Sequence, residues 1–287
     1  MLHNKKKYLL ILIIFLYVFL GTLSFVMARH SLRKVHTSWE LLMGNRLVMS
    51  YYSLGYIGDL YRHKIYNKLK TKRYLSVLQT LIKKDKQFLA SFKYPSGRSN
   101  KLLFRRIRAV VDMLDMASTS LNHAVKLGRV SSLKQFLIYR NSIARDIGRI
   151  FAMKALKRRR YYRGRWRFAL KALGHYLGSD TIIAYLMFGL IADGYFQLAF
   201  KNVEVLPRIR MGIQLLQNSK GAISNVWASV PRKDRIYLKR LQNATISLLN
   251  EGQSLRDFIS SRRRSYLLQY RKWRVIAWRS LQFLAGS

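Results

Sequence analysis

Apolar residues recur at spacings of three and four along much of the chain. Leu103, Ile107, Val110, Leu114, Ala117, Leu121 and Val125 hold one face of a helix that Gly128 ends, and Ser99 or Asn100, at the end of a loop over 94–100, is placed to cap its start. Ser131 or Ser132 opens a further helix carrying Phe136, Ile143, Ile147 and Ile150. Upstream, Leu60, Ile65, Leu69, Leu75, Leu78, Ile82 and Leu89 interleave with Arg62, Lys64, Lys68, Lys70, Lys72 and Arg73, which predicts one amphipathic helix over 60–89 with a basic face. Downstream, Ile209, Ile213, Leu216, Ile223 and Trp227 form one stripe, and Leu238, Leu241, Thr245, Leu248, Gly252, Leu255 and Ile259 form another. Two helices joined at Val230 and Pro231, packed as an antiparallel hairpin over 207–260, satisfy both stripes. Pro207 and Pro231 each suit a first helical turn, where a missing N–H costs nothing.

Two segments depart from this amphipathic pattern. Lys5, Lys6 and Lys7 precede an uncharged run from Tyr8 to Ala28, whose 21 residues cover about 30 Å as a helix, the hydrocarbon thickness of a bilayer. It reads as an uncleaved transmembrane anchor, with a signal peptide cleaved after Ala28 as the rival, since Val26-Met27-Ala28 ends in a small residue. Basic residues flank both sides of the run, Arg29, Arg33, Lys34 and Arg46 following it. The compact N-terminal lysine cluster favours an inside N-terminus, placing the basic domain of a single-pass protein outside the cytoplasm. The second run, Thr181 to Phe200, contains Asp193 and Gln197 and is expected to be a fully buried core helix rather than a second span.

The expected fold class is therefore all-α: an N-terminal transmembrane anchor helix, then a helical-bundle domain of amphipathic helices and αα-hairpins. Three prolines and 16 glycines in 287 residues agree with long helices, and 50% apolar content is ample for a core. No fixed-length repeat marks a solenoid. The glycine- and charge-rich stretch between Ala155 and Gly178 divides the chain into the anchor at 1–28, a basic helical subdomain at 29–160 and a second helical subdomain at 161–287, which carries the hairpin and a basic, aromatic C-terminal segment.

Charge changes this picture most. Fifty-four Lys and Arg stand against 12 Asp and Glu, a net charge of +42, so most cations have no acid to pair with inside the chain. Lys154, Lys157, Arg158, Arg159, Arg160, Arg163, Arg165 and Arg167 crowd eight cations into 14 residues around Tyr161, Tyr162 and Trp166. Arg262, Arg263, Arg264, Arg271, Lys272, Arg274 and Arg279 form a second cluster with Tyr266, Tyr270, Trp273 and Trp278. Arginine forks grip phosphate or carboxylate, and the aromatic rings stack on bases or sugars or sit at a lipid interface. A solvated basic face with its aromatics turned inward is the plainer alternative.

Chemistry beyond charge is sparse. There is no cysteine, no metal spacing among the six histidines, and no phosphate-loop, dinucleotide, zinc-protease or nucleophile-elbow pattern. Asp112 and Asp115 share a helical face and are expected to pair with Arg105, Arg108 or other bases. The sequon at Asn243 falls where Thr245 lies on the hairpin seam. No catalytic residue, metal or cofactor is expected. The reading is a non-enzymatic membrane-anchored scaffold or complex subunit, part of a larger assembly, whose basic domain binds an acidic polymer, anionic lipid headgroups or an acidic subunit. The alternative is a membrane-associated RNA- or DNA-binding protein.

Overall fold

The computed structural model describes residues 43–91, 98–152, 166–227, 230 and 232–285, and these form eight helices with no strand among them. The expected anchor at 8–28 and the cations from Lys154 to Arg165 lie outside the described residues. In chain order the helices are α1 (residues 43–62), α2 (Lys68–Ala90), α3 (Arg98–Leu127), α4 (Val130–Ala152), α5 (Trp166–Phe196), α6 (Asn202–Val226), α7 (Arg232–Ser261) and α8 (Arg264–Ala285). The all-α expectation holds.

Helix α5 is packed among four of the other helices. Over Tyr176–Phe196 it is long and apolar enough to cross a membrane by length and composition, yet 78% of its apolar window is buried inside the bundle, against α2, α6, α7 and α8. Ile183, Ala184, Phe188, Leu190 and Ile191 are fully enclosed, so we read α5 as the core helix that the run from Thr181 suggested. The run ends earlier than expected, at Phe196, and residues 197–201 turn the chain into α6. Gly174 and Gly178 lie within the helix rather than in a break.

Local chemistry also divides the single helix expected over 60–89. Asn67 accepts a hydrogen bond from the Lys70 amide at 2.8 Å and so caps a new helix, while Lys64 turns the chain at φ 59. Leu60 therefore belongs to α1 and Ile65 to the turn. Helix α3 ends before Gly128, as its pattern requires, with Gly128 at φ 67, a backbone conformation that residues with a β-carbon rarely adopt. Helices α3 and α4 each begin slightly before their expected serine or asparagine starts. Pro207 corrects the reading of α6: the helix begins at Asn202, so the proline sits in its second turn and removes one backbone bond. The earlier start is held by the Glu204 carboxylate, which accepts the Lys201 amide at 3.0 Å.

The hairpin of α6 and α7 forms as expected. Asn202 donates to the Ile259 carbonyl, placing the start of one helix beside the end of the other. Phe188 of α5 is driven into this seam, and a β-carbon added at Gly252 would lie 2.6 Å from its ring. Gly252→Ala is therefore expected to destabilise the fold by about 1–3 kcal/mol through overpacking. A denaturant midpoint unchanged from the parent would refute this packing.

Candidate functional site

With so few acids, where each carboxylate sits decides which cations remain available. Arg46 on α1 is 1% exposed; its Nε donates to Asp85 Oδ2 of α2 at 2.7 Å and its Nη1 to the Ser179 carbonyl of α5 at 3.0 Å. One guanidinium thus ties three helices together. Asp180 lies beside it, wholly buried, and neither of its oxygens has a hydrogen-bond partner. Burial pushes the Asp180 carboxyl well above the usual range, against the opposing pull of Arg46. Two carboxylates facing one arginine in a dry site leave the second neutral.

A second clamp joins α7 and α8. Arg274 Nη1 donates to Glu251 Oε1 at 2.6 Å and to the Tyr185 carbonyl at 3.2 Å, and its guanidinium lies 4.1 Å from the Tyr185 ring centre. Gly189 makes this approach feasible, because any β-carbon there would collide with the Arg274 fork. Glu251 is fully enclosed and its Oε2 has no partner. Burial raises its pKa to about 7 even though Arg274 lowers it, so the cost of desolvation outweighs the ion pair.

Other acids are placed the same way. Asp59 of α1 takes Arg140 of α4 at 2.8 Å, and Asp193 of α5 accepts both Tyr66 at 2.5 Å and Lys70 of α2 at 3.0 Å. Asp112 and Asp115 share Lys86 of α2, 3.1 Å from each. The partner is a base on the neighbouring helix rather than Arg105 or Arg108 on their own. Among the described residues no three His, Asp or Glu side chains gather as a metal-binding set. Thr245, in the sequon, is buried and returns its hydroxyl to the Leu241 carbonyl.

The expected polyanion-binding residues divide accordingly. Lys154, Lys157, Arg158, Arg159, Arg160, Arg163 and Arg165 fall outside the described residues. Trp166 and Arg167 open α5. Arg262, Arg263, Arg264, Arg271 and Lys272 are exposed, Trp273 is half-buried, and Arg274 alone turns inward to Glu251. Arg262 closes α7 at φ 59 with its guanidinium 4.8 Å from the Tyr195 ring centre. On α8 the outward positions also include Leu268, Val275 and Trp278, which are 54%, 52% and 49% exposed. Leu268 and Val275 form an apolar stripe between Arg264, Arg271, Lys272 and Arg279, opposite the buried Tyr270, Ala277 and Leu281, while Trp278 lies at its flank, stacked on Tyr185.

Comparison of the chain with protein-family models, with curated proteins and with solved structures returns no match.

Two outcomes follow from the buried charges. Arg46→Met strands Asp85 without its partner and is expected to cost about 3–5 kcal/mol, whereas Asp180→Asn replaces an already neutral group and should change stability by less than about 1 kcal/mol. Equal losses in chemical denaturation would show that Asp180 carries a needed charge. For Glu251, the folded pKa lies above the unfolded value, so the stabilising contribution of its proton is fully present below pH 4.5 and is lost as pH rises through about 7. The loss is on the order of 3 kcal/mol, and Glu251→Gln should flatten the fall in melting temperature between pH 5 and 7.5. An identical profile in the variant would remove Glu251 as its source.

Proposed function

We propose that the chain is a non-enzymatic, membrane-anchored helical scaffold, passing once through the bilayer at residues 8–28, whose basic domain outside the cytoplasm binds the anionic lipid headgroups of the same membrane. The observation that carries this reading is the outward face of α8. An acidic polymer or a nucleic acid needs cations and rewards stacking rings. It gains nothing from Leu268 and Val275 held in water. An anionic bilayer uses both: Leu268 and Val275 enter the interface while Arg264, Arg271, Lys272 and Arg279 meet the headgroups.

Tethering strengthens so small a face. Only 14 residues, 29–42, separate the expected anchor from α1, a reach of at most about 50 Å even when fully extended. Confinement at that distance gives a high effective concentration, so that a weak individual affinity suffices. The cations from Lys154 to Arg167 add to the attraction in the same reading. A scaffold of this kind would hold partners against the membrane as part of a larger assembly.

The absence of cysteine allows a clean test. The full chain with Val275→Cys, labelled with an environment-sensitive dye, is reconstituted through its anchor into vesicles of phosphatidylcholine with or without phosphatidylserine. The dye is expected to report an apolar surround only with phosphatidylserine, to lose it progressively as salt is raised, and to lose it in Arg271→Gln with Lys272→Gln. A dye that stays in water on anionic vesicles and responds instead to added RNA would replace the lipid reading with the nucleic-acid one.

A further inference from the structure

The connections that end α1, α3, α5 and α7 lie together at one end of the bundle. Tyr66 reaches Asp193, the Tyr61 hydroxyl lies 3.5 Å from the Ala124 carbonyl, Tyr56 stacks near Phe200, and Arg262 bonds Asn202. Each connection contains one residue in the left-handed region, namely Lys64, Gly128, Leu198 and Arg262. Within this end, the first two connections border an open concavity of about 490 Å³.

Its lining is unusual even for a basic protein. Arg62, Lys64, Lys68 and Arg129 border it, together with Tyr61, Tyr66 and Asn67, and Ala124, Val130 and Leu133 supply an apolar side. No carboxylate is among the lining residues. Of the neighbouring acids, Asp193 is held by the Tyr66 hydroxyl and by Lys70, and Asp59 is 3.8 Å from Arg62 but only 2.8 Å from Arg140, which claims the same oxygen. Lys64, Lys68 and Arg129 form no ion pair among the described residues. With Arg62 only loosely met by Asp59 and the other three cations unpaired, the concavity carries a local repulsion that a bound anion would relieve.

We propose that this concavity binds a small phosphomonoester, with the phosphate held by Arg62, Lys64, Lys68 and Arg129 and its carbon body against Tyr61, Ala124 and Leu133. The two arginines supply planar forks for the phosphate oxygens, and the two lysines supply point charges. The volume falls within the range of small-molecule sites, and its mixed polar and apolar lining suits a ligand with a charged head and a compact body. The first turn of α4 at Val130 adds a modest positive field to the one the side chains set up. The site is separate from the outward face of α8 and does not depend on the membrane reading of that face. The phosphomonoester can come from solution or from a lipid headgroup.

The test uses the full chain in nanodiscs of phosphatidylcholine, titrated with inorganic pyrophosphate by calorimetry at low salt. One site per chain is expected. Arg62→Gln combined with Arg129→Gln should weaken binding by at least about tenfold, while Lys83→Gln combined with Lys84→Gln, which removes two exposed cations elsewhere on α2, should change it less than about twofold. Equal weakening by both pairs, or many weak sites, would overturn the proposal in favour of diffuse surface charge. Circular dichroism confirms that each pair remains folded. Displacement of pyrophosphate by glycerol 3-phosphate assigns a soluble ligand, and displacement only by phosphatidic acid included in the disc assigns a lipid headgroup. Displacement by neither overturns the phosphomonoester class. The Arg62 and Arg129 pair should leave the α8 dye response intact, and the Arg271 and Lys272 pair should leave the pyrophosphate titration intact, so either reading can fail alone.

Discussion

The bundle depends on how a handful of carboxylates is distributed among a large excess of cations, and the Arg46–Asp85 pair is the clearest case. Folding brings an arginine from α1 into the core, where an unpaired charge costs several kcal/mol. Asp85 from α2 and the Ser179 carbonyl from α5 meet it there. The pair does not make the protein stable in itself, since a well-packed apolar triplet would serve as well or better. It makes the register of three helices conditional on one another, because sliding any of them by a turn would strand the guanidinium. Glu251 with Arg274 does the same for α7, α8 and α5, and Asp59 with Arg140 for α1 and α4.

This placement has a consequence for the surface. Every acid used at a seam is an acid withheld from the solvent face, so the outward cations are left to solvent or to a partner. A protein that needed only solubility would intersperse both signs. Here Asp85, Asp193 and Glu251 help specify helix packing, while most of the cations are presented outward. Salt screens the second strongly and the first hardly at all, so the fold should survive ionic strengths at which its surface interactions are lost.

Much of the fold was legible in the periodicity of single helices. The stripe from Leu103 to Val125 with its glycine stop, and the two stripes of the α6–α7 hairpin, pointed to the right elements because packing there is continuous along one face. The stripe from Leu60 to Leu89 misled, since its spacing persists across a corner where only Asn67 as a cap and Lys64 as a left-handed turn residue mark the break. Neither is a strong stop signal from sequence, because asparagine and lysine are ordinary on a solvated helix face. The clamps were less visible still. Arg46 and Asp85 are 39 residues apart and nothing local links them. Glu251, however, stands between Leu248, Gly252 and Leu255 on the apolar face of its helix, and a lone acid in such a position is a readable sign of a buried cation partner. The partner in the structure is Arg274, which composition alone grouped with its exposed neighbours.

The inward turn of Arg274 also bears on how its neighbours act. A basic segment that folds only on meeting its target draws the ordering cost from the binding energy. Helix α8 is already fixed along its inner face by Tyr270, Ala277 and Leu281, by the Glu251 clamp, and by the stacking of Trp278 on Tyr185 at 5.6 Å. Its outer cations therefore have a set spacing before any partner arrives. Such preorganisation removes the cost of ordering the helix at the moment of binding, and in the proposed reading the anchor holds the bilayer within reach. The residue that leaves the cationic cluster is thus the one that lets the remainder act as a single surface.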